Sequence, residues 1–153
     1  MKNYLIELEK KVSDYFIFLE SKGYYEVEFI LDNLYTDLKS ENMYLSDYPC
    51  LEVRWLNNNL QKEIKLIIYI EDGSIVPIFK FQNLKMKHQF ADYDYFAEKY
   101  KTKQVFNKID SKDDLERLMK YFDIIKLEFD KDLGKLLFTE SWENIEKDWT
   151  PYK

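Results

Sequence analysis

Proton transfer, nucleophilic attack and metal binding all need particular side chains, and in this 153-residue chain most of them are scarce. His88 is the only histidine and Cys50 the only cysteine. His88 stands between Lys87 and Gln89, which suits a solvated imidazole in a loop or at a strand edge. Cys50 follows Pro49 at the start of a strand pattern with no cation beside it to lower its pKa, so it reads as a small buried hydrophobe. One cysteine and one histidine exclude zinc sites of the usual spacing and any intrachain disulfide. Gly23, Gly73 and Gly134 are isolated, so neither a dinucleotide-binding glycine loop nor a P-loop can be built. No catalytic residue, metal site or cofactor is expected from this inventory.

Carboxylates remain. Asp47, Glu63 and Lys65 form an Asp–x15–Glu–x–Lys arrangement, in which an acid pair could hold Mg²⁺ and the lysine could orient a water. The two-residue period of a strand puts Glu63 and Lys65 on one face. The pattern resembles that of the PD-(D/E)xK nucleases, which implies adjacent strands after a helix and metal-dependent cleavage of nucleic acid. The resemblance covers residues 47–65 and departs at its first position, where Ser46 stands in place of the family's proline. Acid-x-Lys also occurs at Glu9/Lys11, Glu20/Lys22, Asp37/Lys39 and Asp110/Lys112, so coincidence accounts for it here.

Charge placement says more. The net charge is −6; residues 1–76 hold 8 basic and 14 acidic side chains, whereas residues 77–153 hold 15 of each. Residues 20–52, with eight acids against Lys22 and Lys39, account for the whole excess. Such a field repels nucleic acid and anionic lipid and attracts basic partners. Two clusters mix acids with rings suited to interfaces: Asp32, Tyr35, Asp37, Glu41, Tyr44, Asp47 and Tyr48, and then Asp92, Tyr93, Asp94, Tyr95 and Phe96. One band runs the other way, with eight Lys against four acids in residues 80–112. There Phe79, Lys80, Phe81, Lys85, Lys87, His88 and Phe90 interleave cations and rings, as single-strand nucleic-acid binders do. The band has no Arg, however, and strand alternation turns Phe79 and Phe81 together toward a core, so a solvated lysine edge is expected.

The expected function is therefore non-catalytic: an acidic protein that occupies a basic protein partner. An immunity protein neutralising a nuclease toxin is the type. A metal-dependent nuclease using Asp47, Glu63 and Lys65, or a nucleic-acid-binding accessory protein using Lys80, Lys85 and Lys87, are the alternatives from other classes.

These residues need a scaffold. The length, 46% hydrophobic content and absence of a linker or repeat predict one domain over residues 1–153. Glu7, Glu9, Lys10 and Lys11 interrupt any signal-peptide core, and the longest apolar runs, Tyr15–Leu19 and Leu66–Ile70, fall far short of the ~20 residues of a membrane span. A cytoplasmic protein is expected. Leu5, Leu8, Val12, Tyr15, Phe16 and Leu19 predict a helix over 3–22, closed by Gly23. Over 25–40 the alternation Tyr25, Val27, Phe29, Leu31 suits a strand, but Val27, Ile30, Leu31, Leu34, Tyr35 and Leu38 fit a helix over a longer window. A helix is expected, because a strand through to Leu38 would be unusually long. Alternation then predicts strands at 51–55, 64–70 and 75–81, the last two joined by an Asp72-Gly73 turn, with a fourth strand near 86–90. Pro77 assigns its strand to an edge or a bulge. A capping pair, Ser111 and Asp114, opens a long helix ending near Gly134, and Trp142, Ile145 and Trp149 predict a short last one. The fold class expected is α+β, a three- to four-stranded antiparallel meander with N-terminal and C-terminal helices packed on it.

Overall fold

In the computed structural model, which describes residues 2–36, 43–71, 74–100 and 115–146, apolar residues at helical spacing carry the chain into α1 (Lys2–Tyr15). This helix buries Leu8 and Val12, then tightens into a 3-10 segment, Phe16–Lys22, that buries Phe16 and Leu19. Gly23 ends it at φ 89°, its amide donating to the Glu20 carbonyl at 3.0 Å while Tyr24 N–H donates to Leu19 O at 3.0 Å. A Cβ on Gly23 would lie 2.9 Å from Asn57 Nδ2, so backbone and space both demand glycine.

Five strands follow in meander order: β1 (Tyr25–Thr36), β2 (Met43–Asn57), β3 (Lys62–Glu71), β4 (Ser74–Asn83) and β5 (Phe90–Asp92). All neighbours are antiparallel. The helices α2 (Tyr93–Lys99), α3 (Leu115–Phe129) and α4 (Asp132–Leu137) complete the described chain. The α+β class holds, with five strands rather than three to four. The β3–β4 register runs to Glu71↔Ser74 and leaves residues 72–73 as the connection; that predicted turn lies outside the described residues, as do Ser111, Asp114 and Trp149.

Residues 25–36 are a strand, not the predicted helix. The register shifts between Glu26 and Glu28, so Val27 is inserted, and again between Asp32 and Leu34. The Val27 insertion moves the residues after it out of the two-residue period, whereas at the second break β1 holds only Asn33 between its paired residues. Ile30, Leu31, Leu34 and Tyr35 keep the three- and four-residue spacings that imitate a helix. On β2 the second irregularity is larger, because Cys50 pairs with Asp32 and Leu45 with Leu34, leaving Ser46–Pro49 between them as an unpaired excursion.

One sheet face makes the core. Leu51, Val53 and Trp55 of β2, Ile64, Leu66 and Ile68 of β3, and Phe79 and Phe81 of β4 are all at most 3% exposed and meet the helices. Phe16 is the junction: its ring lies 5.5 Å from Trp55, 5.5 Å from Phe79 and 5.0 Å from Phe122, joining the 3-10 segment to β2, β4 and α3. Pro77 sits where predicted on an edge, since β5 pairs only with Lys80, Phe81 and Gln82. The fourth strand is Phe90–Asp92 instead of 86–90, because residues 84–88 turn.

The C-terminal third differs twice from expectation. The long helix ends at Phe129, and Gly134 lies inside α4 rather than beyond a helix end. A Cβ there would fall 1.7 Å from the Phe129 carbonyl oxygen, so glycine is what lets α4 fold back against the end of α3. Residues 141–146 form no helix; side chains of other elements take up their backbone groups.

Gly134→Ala should therefore lower the urea midpoint further than Gly23→Ala, for which the left-handed backbone costs about 1–2 kcal/mol. Equal losses in paired denaturation curves would contradict the close approach of α4 to α3.

Candidate functional site

The first acidic cluster belongs to the β1–β2 hairpin. Its backbone register sets Tyr35 opposite Tyr44, and Asp32 opposite Cys50, while Asp47 and Tyr48 fall in the Ser46–Pro49 excursion. Asp37 and Glu41 lie outside the described residues. β3 pairs with β2 only from Cys50 to Asn57, so the Tyr35–Tyr44 end of the hairpin continues past the sheet's third strand.

The second cluster is built differently. Tyr93 and Phe96 are 3% and 1% exposed, so both rings are core and Tyr93 is no surface anchor, contrary to expectation. The physical reason is α2 itself, which starts at Tyr93 and turns that residue, Phe96 and Ala97 inward. Asp92 caps the helix by accepting from Tyr95 N–H at 3.1 Å. Tyr95 is half-buried, its hydroxyl accepting from Glu146 N–H at 3.0 Å. Asp94 is exposed, yet desolvation and then the Asp92 charge push its carboxyl above the ordinary carboxylate range. β1, which carries the described backbone of the first cluster, and β5, which leads into the second, are opposite edges of the sheet, four strand spacings or roughly 19 Å apart.

The nuclease triplet is likewise separated. Cys50 is level with Tyr69, six residues or roughly 20 Å along β3 from Glu63, and Asp47 belongs to the excursion beyond Cys50. Glu63 is 5% exposed and already engaged: Arg54 Nε donates to Oε1 at 3.2 Å and Nη2 to Oε2 at 2.9 Å. Lys65 stands 3.8 Å from Glu63 and 3.4 Å from Glu52. Among the described side chains, Glu52, Arg54, Glu63 and Lys65 thus form a ladder of alternating charge across β2 and β3, on the face away from the helices. Cys50 and His88 do not meet, because Cys50 lies level with Tyr69 whereas His88 follows Asn83, which pairs with Lys62 at the other end of β3.

The lysine band keeps Lys80, Lys85 and Lys87 exposed and Phe79 and Phe81 fully buried, leaving Phe90 as its described surface ring, 37% exposed. Lys80, Phe90 and Gln82 border a shallow groove of about 200 Å³ over Glu63, Lys65 and Phe81. No described group of three or more His, Cys, Asp or Glu side chains could hold a metal. No described helix is long and apolar enough to cross a membrane. Comparisons with family models, curated proteins and solved structures found no match.

Sequence reasoning missed Lys62. It is 2% exposed, and its Nζ donates to the carbonyls of Leu136, Thr139 and Ser141 and stands 5.7 Å from the centre of the Trp142 ring. Burial lowers its pKa from 10.5 to about 8, assisted by the Lys85 charge and opposed by Glu140. The signal was available, since Lys62 is in phase with Ile64, Leu66 and Ile68 on the core-facing side of β3.

The sign of the linkage follows. Below pH 8 folded and unfolded chains both carry the ammonium; above it the unfolded chain holds more protons, so stability rises with pH until the unfolded lysine titrates. Buried Tyr24 and Tyr121, both raised by desolvation, oppose this above about pH 10, where unfolded tyrosines ionise. Urea unfolding of the wild type should strengthen between pH 8 and about 10 relative to Lys62→Met; parallel pH profiles would refute a buried, titrating ammonium.

Proposed function

We propose that this protein is a non-catalytic binding protein whose acidic β1–β2 hairpin occupies a basic protein partner. One observation carries the reading: among the described residues, Glu26, Glu28, Asp32 and Asp47 together with Tyr25, Tyr35, Tyr44 and Tyr48 belong to paired β1 and β2 at one edge of the sheet, with no Lys or Arg in residues 25–36 or 43–48. Carboxylates placed together speed encounter with a basic surface and disfavour acidic ones, while tyrosines supply area at little entropic cost. The opposite edge, with Asp92 and Asp94, takes no part in this surface. A specific instance is an immunity protein that covers the phosphate-binding groove of a nuclease toxin in the cytoplasm. Inhibition of that kind requires coverage and no chemistry, which agrees with Glu63 being spent on Arg54.

Affinity capture from source cells should recover a basic partner at low salt and lose it at high salt. With that partner in hand, the Asp37→Lys/Glu41→Lys double variant should associate about tenfold more slowly or worse in stopped-flow mixing. An unchanged association rate would remove the hairpin from the interface.

A further inference from the structure

β1 is the terminal strand of the sheet, and among the described residues no strand pairs with its outer edge. In an antiparallel strand, alternate residues direct their N–H and C=O groups to opposite sides, so half of these groups on β1 face away from β2. The register breaks at Val27 and again after Asp32, which limits how much of the twelve-residue strand offers a regular edge. Between the breaks, Glu28–Asp32 run uninterrupted opposite Arg54–Cys50. That is five consecutive positions, close to the common strand length.

The charge along this edge selects an occupant. No Lys or Arg occurs between Lys22 and Lys39, whereas Glu26, Glu28 and Asp32 all belong to β1. By the two-residue period, positions 28, 30 and 32 share one face, which places Ile30 between two acids. A second copy of this chain fits badly, since antiparallel self-pairing over 28–32 sets Glu28 against Asp32, and directly opposed like charges destabilise a sheet. A strand with cations two positions either side of an apolar residue reverses that sign. Tyr25 and Val27, 41% and 40% exposed beside this stretch, add apolar area for a neighbour.

We propose that the Glu28–Asp32 edge of β1 receives an extended segment of the basic partner as a sixth strand, with the pattern basic–x–apolar–x–basic. The inference rests on the acidic-hairpin reading and adds the manner of holding. Backbone hydrogen bonds supply the docking, and the acids choose the sequence.

The probe is the peptide Thr-Lys-Val-Val-Val-Lys-Thr, titrated into the full chain and followed by amide-resolved NMR. Two further versions carry N-methyl groups on alternate amides, one along each edge, with charge unchanged. The parent peptide should slow exchange of β1 amides, and methylation along the pairing edge should weaken binding about tenfold or more, the order of a lost pair of hydrogen bonds. Glu28→Lys/Asp32→Lys should weaken the parent peptide similarly; if that variant does not fold, the methylated pair decides. Equal binding of all three peptides would overturn strand addition while leaving acidic attraction in place. No binding of the parent peptide would also overturn it, and a salt-sensitive partner that still depends on Asp37 and Glu41 would show that the broader reading survives. A version with Glu for both Lys binding as tightly would overturn the charge selection.

Discussion

A positive charge lodged at the end of the hydrophobic core governs how the last third of the chain is arranged. An ammonium taken out of water is costly unless oxygen atoms replace its hydration. Lys62 finds three, the carbonyls of Leu136, Thr139 and Ser141, at and just after the C-terminal end of α4. Those carbonyls must therefore come to β3. Bringing them there requires α4 to turn back sharply on α3, which only a glycine at 134 permits. The chain beyond then runs across β5 and α2 without helical hydrogen bonds: Gln89 Oε1 accepts from Trp142 Nε1 at 3.0 Å and from Ile145 N–H at 2.7 Å. One buried cation thus accounts for the helix break, the glycine and the irregular strap.

The two sides of the sheet obey different rules. The helix-facing side is almost wholly apolar and is tied through aromatic contacts centred on Phe16. The other side holds Glu52, Arg54, Glu63 and Lys65 in alternating charge across two strands. Charge pairs opposite one another fix strand register without adding to a hydrophobic face. Glu63, which in isolation looks like a metal ligand, has both carboxylate oxygens held by a guanidinium fork.

What could be read in advance follows from this asymmetry. Strands β2, β3 and β4 alternate cleanly because one face is core, and Pro77 announced an incomplete edge. Gly23 marked the first helix end because its backbone conformation is a local demand. β1 was legible only in part: Tyr25, Val27, Phe29 and Leu31 alternate, but its twelve residues exceed the common strand length, and the helical spacing of Ile30, Leu31, Leu34 and Tyr35 outweighed the alternation. Gly134 answers to the Phe129 carbonyl five residues earlier, a tertiary crowding that no local pattern records. The candidate surface was legible as a grouping of acids in residues 20–52. Which acids share an edge was not, since Asp92 and Asp94 are placed by the meander's strand order.

The unpaired Ser46–Pro49 excursion also divides β2 into two lengths that answer to different constraints. Below it, Leu51, Val53 and Trp55 are locked in phase with the core, and removing one residue would turn each of them to the wrong face. Above it, Leu45, Tyr44 and Met43 follow Leu34, Tyr35 and Thr36 of β1 alone. The two lengths of β2 thus keep separate registers, one shared with β1 and β3 together and the other with β1 alone.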